Sequence, residues 1–147
     1  MKTAVKYLTN KASETEIADH LSNCESNFIP PLSCRVKIDD YAKKIASNAM
    51  RFEAWSGNNL VGLVASYCND EENITYITNV SVLPKWTGKT IAHKLMNQCI
   101  EYSKILEIQQ IVLEVANHNP AAIKLYQKNG FVADVVGSSL LRMYLIL

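Results

Sequence analysis

The hydrophobic period of this chain changes at Met50, and that change limits the folds it can adopt. Before it, apolar residues recur at helical spacing; after it come segments rich in β-branched and aromatic residues. Arg51–Trp55 and Leu60–Tyr67, joined by the turn Gly57-Asn58-Asn59, read as a β-hairpin. A polar turn over Asn69–Asn73 leads to Ile74–Leu83, a third strand of the same run, which Pro84 ends. A helical pattern starts near Gly88, with Ile91, Leu95, Ile100 and Tyr102 on its apolar side. Ile108–Val115 is short and nearly all apolar, which suits a strand buried on both faces. Asn119 then caps a helix with Pro120 at its first position. Ala122, Ile123 and Tyr126 form its inner side, and Gly130 is the left-handed stop. Phe131–Val136 and Leu140–Leu147 read as two closing strands.

The segment before Met50 supplies one strand and two helices. Thr3–Leu8 alternates weakly, as a strand does. Ser13 and Glu16 have capping-box spacing, so a helix runs from there to about Ser22. Pro30-Pro31 keeps the middle of Asn27–Ser33 out of a helix. Asp39 or Asp40 caps a second helix, with Tyr41, Ala42, Ile45 and Ala49 on one face. The order is β-α-α-β-β-β-α-β-α-β-β. It predicts an α/β (α+β) fold: a mixed, mostly antiparallel sheet of about 6–7 strands flanked by about 4 helices. At 147 residues, with no repeat or Gly/Ser linker, Met1–Leu147 is expected to be a single domain.

Composition removes several function classes. Lys plus Arg number 15 against 14 Asp plus Glu, so the net charge is +1 and no broad field draws the chain to nucleic acid. No apolar run approaches the ~18–20 residues that span a membrane. Met1–Asn10 lacks the apolar core of a secretory signal, so a cytoplasmic location is expected. Cys24, Cys34, Cys68 and Cys99 form no C-x-x-C pair and have no His at metal-ligand spacing. They read as reduced packing residues, and no metal is expected.

Two segments carry chemistry. In the first, the strand Tyr76–Leu83 runs through Pro84-Lys85-Trp86-Thr87-Gly88-Lys89-Thr90 into a helix with Ile91 and Ala92 at its start. A helix N-terminus offers unpaired N–H groups and partial positive charge, small residues let an anion approach, and Lys89 adds formal charge. This suits a diphosphate, although neither G-x-x-x-x-G-K-[ST] nor G-x-G-x-x-G is present. The second segment is Leu113–Phe131. Its residues Asn119, Ala122, Leu125, Tyr126, Gly130 and Phe131 follow N-x-x-A-x-x-L-Y-x-x-x-G-F.

Together the two segments resemble the Gcn5-related N-acetyltransferase (GNAT) superfamily, over roughly Met50 to the C-terminus. The strand order agrees with that family along the whole chain. The family's cradle pattern is Gln/Arg-x-x-Gly-x-Gly/Ala, and here Thr87, Gly88, Lys89, Thr90, Ile91 and Ala92 occupy it. Ala92 conforms. Thr87 stands in the Gln/Arg place and Thr90 in that of the first Gly, with Gly88 displaced beside them.

The resemblance implies acetyl transfer from acetyl-CoA, as co-substrate, to an amine. It implies that the pantetheine arm pairs with the backbone at Val80 and Val82, as an added strand does. The N–H near Val80 would polarise the thioester carbonyl. Asn119 would contact the arm, and the cradle would hold the diphosphate. Tyr126 falls on the family's general-acid position; a phenol stays protonated at neutral pH and can protonate a leaving thiolate. Glu114 matches a Glu that acts as base in some protein-acetylating relatives. In an otherwise apolar strand it is also a carboxylate that burial would push towards its neutral form. Water relayed by Thr78, Asn79 or Ser81 is another route for the amine proton. His118 and His93 read as exposed, and His20 carries no signal.

The family builds its acceptor pocket from the N-terminal helices and the loops near the last strands. Here that means Phe28, Pro30, Pro31, Arg35 and Tyr41, with Asn79 below and Gly137–Ser139 opposite. Arg35 can hold a carboxylate or phosphate bidentately. Two acceptor classes stay open, a small-molecule amine (amino acid, amine or amino sugar) and a protein amine. A monomer or homodimer is expected. A non-catalytic module that binds CoA or another ligand on the same fold is the alternative.

Overall fold

The computed structural model describes residues 4–25, 28, 31–88, 90–136 and 140–147. Strand β1 (Lys6–Thr9) is followed by α1 (Glu14–Cys24) and α2 (Ile38–Asn48), with a 3-10 turn at Leu32–Cys34 between the helices. The meander β2 (Met50–Ser56), β3 (Asn59–Asn69) and β4 (Ile74–Val82) comes next. A 3-10 turn at Pro84–Trp86 leads to α3 (Ile91–Ile105), β5 (Gln110–Ala116) and α4 (Pro120–Lys128). Strands β6 (Val132–Val136) and β7 (Leu140–Ile146) close the chain. Among the described residues these form one seven-stranded sheet in the order β1-β2-β3-β4-β5-β7-β6. Only the β4–β5 pairing is parallel. The element order and sheet class are those read from the sequence. No helix among the described residues is long and apolar enough to cross a membrane.

Each sheet face carries its own core. On one, Ile91, Leu95, Met96 and Cys99 of α3 and Tyr126 of α4 pack on Phe52, Ala54, Val64, Ile77, Ile111 and Leu113. Gly62 lets α3 come close: a Cβ there would lie 2.7 Å from Ile91 Cγ2. On the other face, Ile17 and Leu21 of α1 and Ala42 and Ile45 of α2 pack on Trp55, Leu60, Leu63 and Ala65. Truncating a buried Leu such as Leu21 or Leu95 to Ala costs about 2–5 kcal/mol.

A buried ion pair ties the N-terminal helices to the sheet. Arg51 Nε lies 3.1 Å from Glu53 Oε2, both on β2. Glu53 also accepts from the backbone N–H of Lys11 and Ala12 and from Trp55 Nε1. Arg51 donates to the carbonyls of Ala12 and Ala46. The pair therefore clamps the entry to α1 and the end of α2. Helix α1 begins with the expected capping box between Ser13 and Glu16. The expected cap of α2 is corrected. Lys37 is the N-cap without a side-chain bond, and Asp39 and Asp40 sit inside the first turn, where their charge still favours the helix dipole.

The feature that positions the site is a parting of strands. Strands β4 and β5 pair only at Ile74↔Gln110, Thr75↔Ile111 and Tyr76↔Val112. Beyond Tyr76 they diverge and leave a cleft between them. Strand β4 also carries a bulge: Asn79 pairs with Ala65 and Ile77 with Ser66, so Thr78 is the extra residue. The bulge turns both Thr78 and Asn79 to the α1/α2 side. Tyr41 of α2 holds it there, 2.7 Å from Thr78 O and 2.9 Å from Thr78 Oγ1.

Candidate active site

The cleft opens into a cavity of about 720 Å³. One wall has three parts: the β4 edge at Val80 and Val82, the turn Thr87-Gly88-Thr90, and the start of α3 at Ile91 and Ala92. Asn119 and Tyr126 line the α4 wall, and Glu114 lines the β5 wall. Phe28, Arg35 and Asn79 reach the same cavity from the α1/α2 side. Of the predicted site residues that the structure describes, Pro31 and Tyr41 do not line this cavity; the others named for the cofactor, for catalysis and for the acceptor do. Lys89, Pro30 and Gly137–Ser139 lie outside the described residues. Pro31 precedes the 3-10 turn and is exposed.

Helix α3 starts at Ile91, later than the sequence pattern near Gly88 suggests. Pro84 opens a 3-10 turn first, and Gly88 at φ 76° and Thr90 at φ 65° then reverse the chain. Lys94 N–H is the first to bond back, to Thr90 O at 3.0 Å. The N–H groups of Ile91, Ala92 and His93 therefore point out of the helix end, as an anion site requires. Thr90 holds a left-handed conformation that costs a non-Gly residue roughly 1–2 kcal/mol. The space around Gly88 is open: a Cβ placed there would meet no atom within 4 Å.

Asn119 serves first as a helix cap, its Oδ1 accepting from Ala122 N–H at 3.3 Å. Its amide NH2 remains for a ligand. Pro120 and the left-handed Gly130 bound α4 as read from the sequence. Tyr126 lies in the last turns of that helix, its ring 6.2 Å from Phe131. Burial pushes its phenol up to about 12, so it stays protonated throughout the neutral range. Among the described residues it has no hydrogen-bond partner, which leaves its proton available to a ligand.

Glu114 departs from expectation: it is exposed, although its strand neighbours Leu113 and Val115 are buried. On the same face of β5, Val112 and Ala116 are buried, so the exposure is local to Glu114. Tyr76 Oη donates to Glu114 Oε1 at 3.3 Å, across the closed end of the cleft. Both Glu114 and Arg35 act on the Tyr76 phenol, whose pKa is raised first by burial and then by the Glu114 charge, while Arg35 lowers it.

Two groups escaped the sequence reading. Trp86 lines the cavity from its 3-10 turn. His20, on α1, is buried and bonded to Ser81 of β4 at 2.9 Å. No local pattern signals a contact between residues 61 positions apart. Among the described residues no group of three or more His, Cys, Asp or Glu gathers as metal ligands.

The profile of the acetyltransferase (GNAT) family matches residues 15–131. Spermidine N(1)-acetyltransferase from Vibrio cholerae is 36% identical over 102 residues, 64% of this chain and 56% of that protein. N-acetylaspartate synthetase from Mus musculus is 33% identical over 94 residues, 64% of this chain and 31% of that protein. The matched stretches thus span about half of the one relative and about a third of the other. The PaiA N-acetyltransferase of Thermoplasma acidophilum, solved in complex with coenzyme A, superposes with a TM-score of 0.76 at 15% identity, covering 98% of this chain and 99% of that one. That likeness is one of fold. With the cleft, the bulge and the family profile in agreement, this chain belongs to the GNAT acetyltransferase family.

Proposed function

We propose that this chain transfers an acetyl group from acetyl-CoA to a primary amine, by direct attack of the amine while both substrates are bound. One observation carries the reading. The parting of β4 and β5 after Tyr76 exposes a strand edge to the cavity on which Asn119, Tyr126 and the start of α3 converge. Relatives named for acetylating spermidine and for making N-acetylaspartate support it.

In this mechanism the β4 edge at Val80 and Val82 holds the pantetheine arm as an added strand. The N–H near Val80 polarises the thioester carbonyl, and the Asn119 NH2 steadies the arm. The N–H groups of Ile91, Ala92 and His93, with Thr87, Gly88, Lys89 and Thr90, receive the diphosphate. Tyr126 protonates the departing thiolate. Its phenol, at about 12, is a weak acid, but the buried site that raises it also disfavours the thiolate, which keeps the transfer feasible. Glu114, on the β5 wall, is one route for the amine's proton. Direct acyl transfer needs no metal.

Arg35 has no ion-pair partner among the described residues and lines the acceptor side with Phe28 and Asn79. On a cavity that Glu114 also lines, it favours a small amine that also carries a carboxylate or phosphate. Thiol release from acetyl-CoA over a panel of amino acids, amino sugars, polyamines and peptide amines tests the reading. Turnover with an anionic small amine is expected. Turnover with peptides alone would move the acceptor to protein amines.

A second reading, a module that binds CoA without turnover, is favoured by the strained Thr90 in the cradle. Cofactor binding with no thiol release across the panel would select it.

A further inference from the structure

The floor of the acceptor side contains a hydrogen-bonded chain that the mechanism above does not use. His20 Nδ1 lies 3.0 Å from Leu60 O, and a carbonyl can only accept, so Nδ1 carries the proton. Nε2 is then a bare acceptor in the neutral ring. It lies 2.9 Å from Ser81 Oγ, which in turn lies 2.8 Å from Asn79 Oδ1. Ser81 and Asn79 both line the cavity, while His20 sits behind them, 2% exposed. The remaining neighbour of the ring is the Cys24 thiol, 3.6 Å from Nε2. Burial pushes Cys24 up to about 12, so it stays uncharged. Burial also lowers His20 to about 4, so the ring is neutral, and a weak base, across the working range.

We infer that Ser81 and His20 form an internal relay for the acceptor amine's proton, with Ser81 the group facing the amine and His20 the buried positioning residue behind it. The inference rests on the amine-acetylation reading. Ser81 has one hydroxyl proton and two acceptors within reach. Before reaction the Ser81 proton has two acceptors, Asn79 Oδ1 and His20 Nε2; turned to Nε2, it leaves an oxygen lone pair for the amine, directly or through one water. As the amine nitrogen bonds to the thioester carbon, its N–H bond breaks and its proton goes to Ser81 Oγ. The original Ser81 proton moves to His20 Nε2, and the N–H electron pair stays on nitrogen. The C–S bond then breaks, and the thiolate takes its proton from Tyr126. Afterwards Nε2–H donates to Ser81 Oγ, and the new Ser81 proton donates to Asn79 Oδ1. Before transfer one proton serves two contacts, Ser81 with His20 and Ser81 with Asn79; after transfer each contact carries its own. The low basicity of the buried ring means that transfer accompanies C–N bond formation, when the nitrogen turns acidic. The proton later returns to solvent by the same path, and water reprotonates Tyr126.

The test is the pH profile of kcat/KM for the full chain, comparing the parent with Ser81→Ala, His20→Gln and Glu114→Gln. Ser81→Ala is expected to lose about 10²-fold at pH 7 and to approach the parent near pH 10, where hydroxide can take the proton released as the C–N bond forms. His20→Gln should follow the same pattern. Circular dichroism confirms folding, and Ser81→Ala, the smaller change, decides if His20→Gln unfolds. A loss of equal size at every pH would show a structural role and overturn the relay. So would parent-like rates in Ser81→Ala with a pH-dependent loss in Glu114→Gln, which leaves the acetylation reading standing. If the parent releases no thiol with any amine, the acetylation reading falls and the relay with it.

Discussion

At the scale of single residues, Tyr126 and Thr90 make opposite kinds of demand on the site. Tyr126 is buried with its proton unclaimed, which suits the acid role proposed for it and contributes little to holding the fold. Tyr126→Phe keeps the ring against Phe131. It should lower kcat by roughly 10²–10⁴-fold, while calorimetry finds the coenzyme A Kd within a few-fold of the parent. Parent-like kcat would remove Tyr126 as the acid. Thr90 instead carries strain. Thr90→Gly should stabilise the chain by about 0.5–1 kcal/mol, visible as a raised Tm, because Gly adopts φ 65° without a Cβ penalty. Tighter coenzyme A binding should accompany it. Both residues were legible in the sequence, Tyr126 through N-x-x-A-x-x-L-Y-x-x-x-G-F and Thr90 as a departure from the cradle pattern. Glu114 was legible only in part. Its strand neighbours are apolar, and nothing local in sequence tells that its side chain stays exposed between buried Val112 and Ala116.

At the scale of elements, the clamp built by Arg51 and Glu53 keeps α1 and α2, and with them His20, Arg35 and Tyr41, over the acceptor side. Glu53→Ala leaves a buried guanidinium unpaired and frees the N–H groups of Lys11 and Ala12. Chemical denaturation should show a loss of about 3–5 kcal/mol, and a loss under about 1 kcal/mol would mean that the pair behaves as a surface bridge. The element boundaries were mostly legible because their signals are local: Ser13 with Glu16, Pro84, Asn119-Pro120 and Gly130. The errors are local too. Two adjacent aspartates look alike as N-cap and as first-turn residues, and the extra turn after Pro84 delays α3 to Ile91.

At the scale of the whole molecule, the cleft depends on pairings between distant segments. Periodicity identified β4 and β5 but could not reveal that their ladder ends after Tyr76, nor that Thr78 is a bulge. His20 escaped for the same reason, since its partners Leu60 and Ser81 come from other elements. This buried imidazole also gives the molecule a pH response. Its pKa falls from 6.5 when unfolded to about 4 when folded, so below 6.5 the unfolded chain binds the extra proton. Stability from this group is therefore complete above pH 6.5 and declines as pH falls towards 4, by about 3 kcal/mol in all. Urea titrations at pH 7 and pH 4.5 should show the decline, and His20→Gln should flatten this contribution.

The central claim is that the parted strands and the altered cradle form a working acetyl-CoA site. Calorimetric titration of the purified chain with acetyl-CoA, with desulfo-CoA as a control for the thioester end, tests it most directly. Saturable binding in the micromolar range by both is the predicted result. No heat of binding at millimolar acetyl-CoA would mean that Thr87 and Thr90 have broken the cradle, and would contradict the account.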